Sequence, residues 1–482
     1  RRCVINGAYK YPGAVAIEEN GQMFFLEGAS AEKRHAFANQ LGVNASQKRV
    51  HRHVLDGDMV LFNRQPTLHK PSLLAFKVRV MPRELTVRMH YLNCSGFNAD
   101  FDGDEMNVHL VQNHAARAEA ALLALSDRHF VLPTNRQPVR GLIQDFIFAG
   151  VFLTSKDTVF ERAEYCHLLA TAARRLDSTK LIVLAPALRR PVELWTGKQL
   201  VSNLLLLAAK ADVRAPGLCV DGQSRVPPAT FCAASPEEAR FRLRHNYVCS
   251  GLVDKNQIGA SAFGLAHGFF ELYGHRRAAD LFSALTSLLL EFLRLRGYSV
   301  GIRDLLLTPA ADRRREAQLA AIDVAAVEAQ RVWLGTKKAT EVPAAIASRL
   351  SASPAAAAEL DSVVKRALAP AQSRLFEGIS SGLALSFPHN HFSAMVLTGA
   401  KGSTLNHSQV SINLGQQELE GRRVPTMATG RTLPCFAAFD PRPRCGGFIA
   451  DRFLSGLHAP EFFFHCMAGR EGLIDTAGKT SR

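Results

Sequence analysis

Residues 98–107 read NADFDGDEMN and place three aspartates at every second position around one glycine. On an α-helix, side chains two residues apart point about 200° away from one another, so Asp100, Asp102 and Asp104 could not converge. On an extended strand they would share a face, but the outer two would lie roughly 13 Å apart. Gly103 can adopt the positive φ that lets a chain turn sharply. The stretch therefore predicts a tight loop.

The carboxylates of such a loop predict a cation. Two like charges repel by about 4 kcal/mol at about 4 Å and an effective dielectric constant near 20, and a divalent ion removes that repulsion. Hard oxygen ligands without histidine or cysteine favour Mg²⁺. A calcium EF-hand is excluded, because Glu105 and Val111 stand where it needs glycine and glutamate. A solvated acidic turn is the alternative, and the apolar Phe101 and Met106 favour a loop packed on a core.

Composition narrows the class of protein. The chain has 482 residues, enough for two to four domains, and its net charge of +15 favours a polyanionic partner, nucleic acid before a membrane surface. Nine dispersed cysteines without a CxxC pair indicate reduced thiols inside a cell. No run of 18 residues is apolar and free of charge. The chain begins at Arg1 without a methionine, and we expect a segment of a longer protein.

Short apolar runs surround the acidic stretch. They predict strands over residues 59–62, 73–81 and 85–92, with the acidic loop among them. The sequence NRQPTLHK at 63–70 places Arg64 before a proline-stiffened turn. A guanidinium held there suits a ribose hydroxyl or a phosphate, and an ordinary surface arginine is the alternative.

Helical patterns dominate the rest of the chain. Helices are predicted over 115–125, 142–154, 281–295 and parts of 160–210, and a mobile insert over the Pro- and Ser-rich residues 211–240. An alanine-rich region at 309–372 predicts long helices that Pro343, Pro354 and Pro370 divide.

Two later segments carry glycines of interest. The sequence GAKGST at 399–404 flanks Lys401 with glycines but lacks the GxxxxGK[ST] spacing of a P-loop, which excludes that motif. The segment 460–482 predicts a helix that contains Gly469, Gly472 and Gly478. Each glycine costs about 1 kcal/mol relative to alanine, so this helix is either closely approached by another group or built to bend.

Four of these motifs together resemble one family. NRQPTLH at 63–69, NADFDGDEMN at 98–107, GAKGS at 399–403 and residues 461–481 are similar, in order and approximate spacing, to the largest subunit of multi-subunit DNA-dependent RNA polymerases. Three further stretches resemble the RNA polymerase I form more than forms II or III, and these are LWTGKQ at 194–199, LPCF at 433–436 and GGF at 446–448.

The resemblance implies an α+β multidomain fold. Residues 1–124 would form the later part of an active-site domain, a double-psi β-barrel. Largely helical pore and funnel regions would follow at 125–300 and 301–430. Residues 431–482 would begin the cleft region and run into a terminal bridge helix.

The resemblance also implies roles for single residues. Asp100, Asp102 and Asp104 match the positions that hold the catalytic Mg²⁺, and a second Mg²⁺ is expected to arrive with the nucleotide. The remaining matches concern substrates: Arg64 and Asn98 at the ribose of the incoming nucleotide, Lys401 near the nucleotide entry path, and Thr480 and Ser481 at the templating base pair.

The function implied is template-directed nucleotidyl transfer in the nucleus, and in the nucleolus for the ribosomal RNA enzyme. The expected partners are the second-largest subunit, smaller subunits, DNA template, RNA transcript and nucleoside triphosphates, with no membrane. Three alternatives stay open. They are the largest subunit of RNA polymerase II or III, a nucleic-acid-binding scaffold with a structural acidic loop, and a Mg²⁺ phosphohydrolase acting on small phosphate esters.

Overall fold

A computed structural model describes residues 1–43, 45–176, 182–209, 217–230, 236–353 and 355–480, with the side chains of 229, 376–381 and 479–480 outside that description. The chain divides into two compact units. Unit 1 comprises residues 1–141 and 274–279, and unit 2 comprises residues 142–273 and 280–482. Both contain helices and strands, which confirms the predicted α+β class. Every sheet within the described ranges has two or three strands, and none closes into a barrel.

Unit 1 begins with a small sheet covered by two helices. Its elements up to residue 141 are α1 (Arg2–Asn6), β1 (Ala14–Glu19), β2 (Gln22–Phe25), α2 (Ala31–Gln40), β3 (Lys48–Arg52), β4 (Met59–Asn63), β5 (Leu73–Lys77), α3 (Cys94–Phe97), β6 (Asn107–Leu110) and α4 (His114–Glu119). The first sheet is antiparallel in the order β2-β1-β3. Three residues of β1 are buried, Ala14, Ala16 and Ile17. The core of this sheet consists of Val4, Ala14, Ile17, Leu26 and Ala38.

The second sheet of unit 1 carries the predicted functional motifs. Its order is β5-β4-β6, and all its pairs are antiparallel. Asn63, the last residue of β4, pairs with Leu73 on one side and with Asn107 on the other. Arg64 follows Asn63, and the acidic loop immediately precedes Asn107. The strand register therefore brings the arginine turn beside the acidic loop.

The sequence predicted two of these three strands. Strands β4 and β5 are confirmed, although β5 ends at Lys77 rather than at Met81. The strand predicted over 85–92 is wrong, because residues 85–90 are irregular, with one bend at Thr86, and a short 3₁₀ turn begins at Tyr91. The third strand is β6, on the far side of the acidic loop.

Unit 2 is largely helical. Its elements, including those that pass through residues 274–279, are α5 (Asp145–Thr154), β7 (Val159–Glu161), α6 (Arg162–Ala173), β8 (Leu194–Thr196), α7 (Gly197–Ala209), β9 (Val220–Gln223), β10 (Arg240–Arg244), β11 (Tyr247–Ser250), α8 (Lys255–Ile258), α9 (Leu265–Arg296), α10 (Pro309–Leu334), α11 (Val342–Ala352), α12 (Ala356–Gly382), α13 (His391–Leu397), α14 (Thr404–Ser411), β12 (Gly415–Gln416), β13 (Glu418–Leu419), β14 (Arg422–Arg423), β15 (Phe448–Ile449) and α15 (Ala459–Thr480). Helix α9 is kinked at Gly274, whose φ is 81°.

Part of the predicted mobile insert is an ordered sheet. Strand β9 lies inside 211–240 and pairs with β10, which also pairs with β11. Residues 211–216 and 231–235 of the region lie outside the described residues. Residues 220–223 of the region are therefore a strand, paired with β10, whose Phe241 and Leu243 are buried; the mobility of the region stays a prediction.

The proline-containing region forms three long helices. Thr308 accepts a hydrogen bond from the Ala311 amide at the start of α10, and Gly335, with a φ of 70°, ends it. Pro343 lies in the first turn of α11, as expected for proline. Pro370 lies inside α12, so the predicted division there is wrong. Pro354 lies outside the described residues. Helix α12 continues through Pro370 because apolar residues on both sides of it, including Leu368 and Leu375, pack in one core with α10.

Candidate metal centre

The acidic loop begins where a short helix ends in a left-handed residue. Helix α3 stops at Asn98, whose φ and ψ are 49° and 40°. The Ala99 amide donates to the Cys94 carbonyl at 2.9 Å, which closes the helix end. Gly103 has a φ of 123°, a conformation that other residues rarely adopt. The two residues reverse the chain within six positions, so the predicted tight loop is confirmed.

The three aspartates converge. One carboxylate oxygen from each of Asp100, Asp102 and Asp104 lies within 4.8 Å of the other two. A hydrogen bond to Asp102 raises the pKa of Asp100, and the negative charges of Asp102 and Asp104 raise it further. Three converging hard oxygen donors that repel one another fit a divalent cation such as Mg²⁺. Glu105, next in the sequence, does not belong to this cluster.

Arg64 contacts both ends of the loop. Its Nε donates to Oδ2 of Asp104 at 2.6 Å, and its Nη1 donates to the Phe97 carbonyl at 3.4 Å. The Asp100 amide donates to the same Oδ2 of Asp104 at 3.3 Å. The Arg64 guanidinium holds the pKa of Asp104 below its ordinary value. The third aspartate is therefore the one whose negative charge is already partly compensated.

The turn that presents Arg64 is held by side chains. Asn63 donates from Nδ2 to the Thr67 hydroxyl at 2.7 Å and to the Ser72 carbonyl at 3.0 Å. Asn107 donates to Oδ1 of Asn63 at 3.5 Å across the strand pair. The arginine is thus supported from its own turn and from the strand that leaves the acidic loop.

A small hydrophobic cluster packs against the acidic loop. Ala99 is buried with Leu74 and Phe97, and Met106 packs against this cluster as the sequence predicted. Phe101 does not pack into the core, since 54% of it is exposed. Its ring contacts Tyr91, with 5.1 Å between centroids. Phe101 follows Asp100 at the tip of the turn, where the chain has already left the apolar cluster.

Sequence reasoning missed a buried arginine that contacts the residue preceding α3. Arg140 is 6% exposed. It donates to Oδ1 of Asn93 at 3.0 Å and to Oδ1 of Asp127 at 3.2 Å. The available signal was a lone arginine in the apolar run PVRGLI at 138–143.

The other predicted residues are distributed along the chain. Asn98 is exposed at the start of the acidic loop. Lys401 lies in unit 2, exposed between Gly399 and Gly402, in the turn that precedes α14. Thr480 is the last residue of α15, and its side chain lies outside the described part of the chain, as does all of Ser481.

Sequence reasoning also missed a mixed cluster at the start of α15. Single ligand atoms of Asp451, His458 and Glu461 lie within 4.8 Å of one another. Oδ2 of Asp451 accepts from the His458 amide at 3.2 Å and contacts its Nδ1 at 2.6 Å, which raises the pKa of His458. Glu461 is buried and pairs with Arg444. These contacts cap and anchor the helix start.

Two further sequence expectations concern cysteines and membranes. All eight cysteines in the described ranges are free, as predicted, and they are Cys3, Cys94, Cys166, Cys219, Cys249, Cys435, Cys445 and Cys466. Among the helices that the structure describes, none is both long and apolar enough to cross a membrane.

Family models match most of the chain in sequence order. They are described as RNA polymerase Rpb1 domain 2 at residues 1–126, domain 3 at 129–305, domain 4 at 350–449 and domain 5 at 456–482. The acidic loop and Arg64 lie in the first match, and Lys401 lies in the third. The chain belongs to the family of largest subunits of DNA-directed RNA polymerases.

Within this family, the similarity favours the RNA polymerase I form. The chain is 42% identical, over its whole length, to the DNA-directed RNA polymerase I subunit rpa1 of Schizosaccharomyces pombe and 40% identical to subunit RPA190 of Saccharomyces cerevisiae. It is 35% identical to the human DNA-directed RNA polymerase III subunit RPC1. The chain spans 30% of the length of the two yeast subunits.

Proposed function

We propose that this chain supplies the metal-binding part of the active centre of RNA polymerase I, which extends RNA by template-directed nucleotidyl transfer. The observation that carries the proposal is the convergence of Asp100, Asp102 and Asp104 beside Arg64. The relatives support it, because their printed names are those of DNA-directed RNA polymerase I subunits.

The three aspartates hold one Mg²⁺ in this proposal. When bound, Mg²⁺ supplies Lewis-acid activation of the RNA 3′-hydroxyl, and a second Mg²⁺ that enters with the triphosphate neutralises charge on the leaving pyrophosphate. The chain's own contribution is to hold three carboxylates close enough to bind, despite their repulsion. The Arg64 guanidinium keeps Asp104 ionised, because it stabilises the negative charge of that carboxylate.

Arg64 and Asn98 orient the incoming nucleotide. Both lie at the edge of the aspartate cluster, Arg64 through its contact with Asp104 and Asn98 at the left-handed residue that opens the loop. An arginine fork and an amide can donate to ribose hydroxyls, which distinguish RNA precursors from DNA precursors. Lys401 is proposed to attract the triphosphate near the entry path, and Thr480 and Ser481 to contact the templating base pair.

The regional assignments complete the proposal. The sheet β5-β4-β6 is part of a double-psi barrel within the active-site domain at 1–124. Pore and funnel regions follow at 125–300 and 301–430, and α15 is the bridge helix of the region 431–482. The partners are the second-largest subunit, smaller subunits, DNA, RNA and nucleoside triphosphates. The site of action is the nucleus and, for ribosomal RNA synthesis, the nucleolus.

Metal-directed cleavage tests the location of the centre. Fe²⁺ replaces Mg²⁺ in the assembled polymerase on a DNA–RNA scaffold, and the hydroxyl radicals formed at the bound iron cut nearby nucleic acid. We expect cuts centred on the RNA 3′ end, which disappear in an Asp102→Ala enzyme. Cuts absent from the wild-type enzyme would instead support a scaffold with a structural acidic loop. Release of phosphate from small esters by the purified chain would support a phosphohydrolase.

A further inference from the structure

Arg140 joins two segments of unit 1 from a buried position. Its two terminal nitrogens donate to Oδ1 of Asn93 and to Oδ1 of Asp127. Asn93 is itself 6% exposed and directly precedes α3. Residue Asp127 lies in a 3₁₀ turn at Ser126–Arg128. The turn lies beside the sheet β5-β4-β6, because Leu125, which precedes the turn, forms a β-bridge with Ala75 of β5.

Space filling does not explain an arginine at this position. Burying a guanidinium carries a large desolvation cost, and an apolar side chain of similar volume often serves as well or better in a core. Among the residues that the structure describes, the Nε of Arg140 has no hydrogen-bond partner, which adds to that cost. What an apolar residue could not supply is the planar fork that reaches Asn93 and Asp127 at once.

Val139, the residue before Arg140, packs against α3. Val139 is buried, and its Cγ2 lies 3.8 Å from where a Cβ on Gly96 would stand. The Cβ of Pro71 lies 3.4 Å from the same position, where a Cβ on Gly96 would stand. Helix α3 is therefore held at Asn93 by the arginine and at Gly96 by apolar contacts.

Helix α3 in turn sets the start of the acidic loop. The helix is four residues long, so a shift at Asn93 is transmitted directly to its other end. That end carries the Phe97 carbonyl, which accepts from Arg64, and Asn98, where the chain turns toward Asp100. Arg140 thus reaches the metal ligands through one hydrogen bond and one helical turn.

We propose that Arg140 is a positioning residue for the aspartate loop, fixing α3 so that the three carboxylates stay converged. The inference rests on the proposed function of that loop. Arg140 contacts neither substrate nor cation, and it acts through Asn93.

The test measures metal binding as well as activity. The assembled polymerase is prepared as wild type and with Arg140→Met, which keeps the volume but removes the fork. Mn²⁺ binding is followed by electron paramagnetic resonance without nucleotide, and the ion lost in an Asp102→Ala enzyme identifies the loop site. Mg²⁺ titrations of RNA extension are run in parallel. The matched control is Arg128→Met, because Arg128 is an exposed arginine in the 3₁₀ turn that also contains Asp127.

Arg140→Met is expected to weaken Mn²⁺ binding at the loop site about tenfold, the lower end of the range for residues that support metal ligands indirectly. The Mg²⁺ concentration for half-maximal extension rises in parallel, and saturating Mg²⁺ restores most of the rate. Arg140→Lys, with one charged group in place of the fork, falls between wild type and Arg140→Met. Arg128→Met matches wild type.

The outcomes separate the two claims. An Arg140→Met enzyme that assembles and binds Mn²⁺ as wild type does overturns the positioning role and leaves the proposed function standing. If Asp102→Ala removes no Mn²⁺ from the enzyme, the proposed function falls and this inference falls with it. If Arg140→Met does not assemble, Asn93→Ala removes the acceptor that directly precedes α3, together with a long hydrogen bond of 3.4 Å from Asn93 Nδ2 to the His90 carbonyl. The same tenfold weakening is then expected, and unchanged binding overturns the role.

Discussion

The Nε of Arg64 lies 2.6 Å from Oδ2 of Asp104, although 40 positions separate the two residues in the sequence. About a fifth of each side chain is exposed, 21% and 19%, so the pair is shielded but open to a ligand. A single contact thus joins the proline-stiffened turn to the third aspartate of the loop. Because the same arginine also binds the Phe97 carbonyl, its position depends on the geometry of the whole loop.

Arg64→Lys is expected to lower kcat/KM for nucleotide addition by at least about tenfold, equivalent to about 1.4 kcal/mol. A lysine ammonium cannot reproduce the planar fork that reaches Asp104 and the Phe97 carbonyl together. The preference for ribonucleotides over deoxyribonucleotides should fall as well. Single-nucleotide addition by the assembled polymerase measures both. Arg79→Lys, at an exposed position of the same unit, serves as the control, and equal losses in the two variants would contradict a nucleotide-binding role.

Gly472→Ala is expected to slow RNA extension although it favours the helix. A Cβ at Gly469, Gly472 or Gly478 would meet no atom of the described chain within 4 Å. Each glycine nevertheless costs α15 about 1 kcal/mol relative to alanine. If α15 is the bridge helix, as proposed above, nucleic acid or another subunit would occupy this space in the assembled enzyme, and an added methyl group would obstruct it.

Gly472→Ser separates the two explanations for these glycines. Serine adds bulk at the same position with a weaker helix preference than alanine. If the space is occupied in the assembled enzyme, both variants slow extension. If bending alone matters, the alanine variant is the slower one, and normal rates in both would show that neither explanation holds.

The region around His407 should lose stability as the pH falls. His407, in α14, is 3% exposed and packs edge-on against Phe392 of α13. Burial lowers its pKa to about 4, below the value near 6.5 of an unfolded chain. The neutral form therefore favours folding, with the full contribution present above about pH 6.5 and up to about 3 kcal/mol lost as the pH falls to 4.

Hydrogen exchange in the assembled polymerase measures this effect. The opening free energy of α14 is determined between pH 4 and 7, after correction for the intrinsic pH dependence of exchange. His407→Met should abolish the decline, whereas His389→Met, at an exposed position, should leave it intact. A decline that persists in His407→Met would assign it to another group.

Local sequence patterns predicted the acidic loop and two of the three strands in its sheet. The alternation of aspartates around Gly103 excludes both regular elements, and the structure has the expected turn. Strands β4 and β5 follow from short apolar runs between turn residues. Strand β6 was missed because its polar and apolar residues alternate over only four positions, too short a run to indicate a strand, and all four are exposed in the fold. It is held instead by its pairing with β4.

Contacts between residues far apart in the sequence could not be predicted from local patterns. Arg140 and Asn93 are 47 positions apart, and only the folded chain brings them together. Pro370 inside α12 is likewise a tertiary effect, since local propensity favours a break there. Sequence reasoning therefore found the three converging aspartates, whose spacing is local, and missed the buried arginine that contacts Asn93.

The most direct test of the account is RNA extension by the assembled polymerase carrying Asp102→Ala. Glu119→Ala, at an exposed carboxylate on α4, is the matched control. We expect Asp102→Ala to abolish extension while subunit assembly and nucleic-acid binding stay intact, because one of three converging carboxylates is gone. Extension at the wild-type rate by the Asp102→Ala enzyme would contradict the catalytic role of the loop.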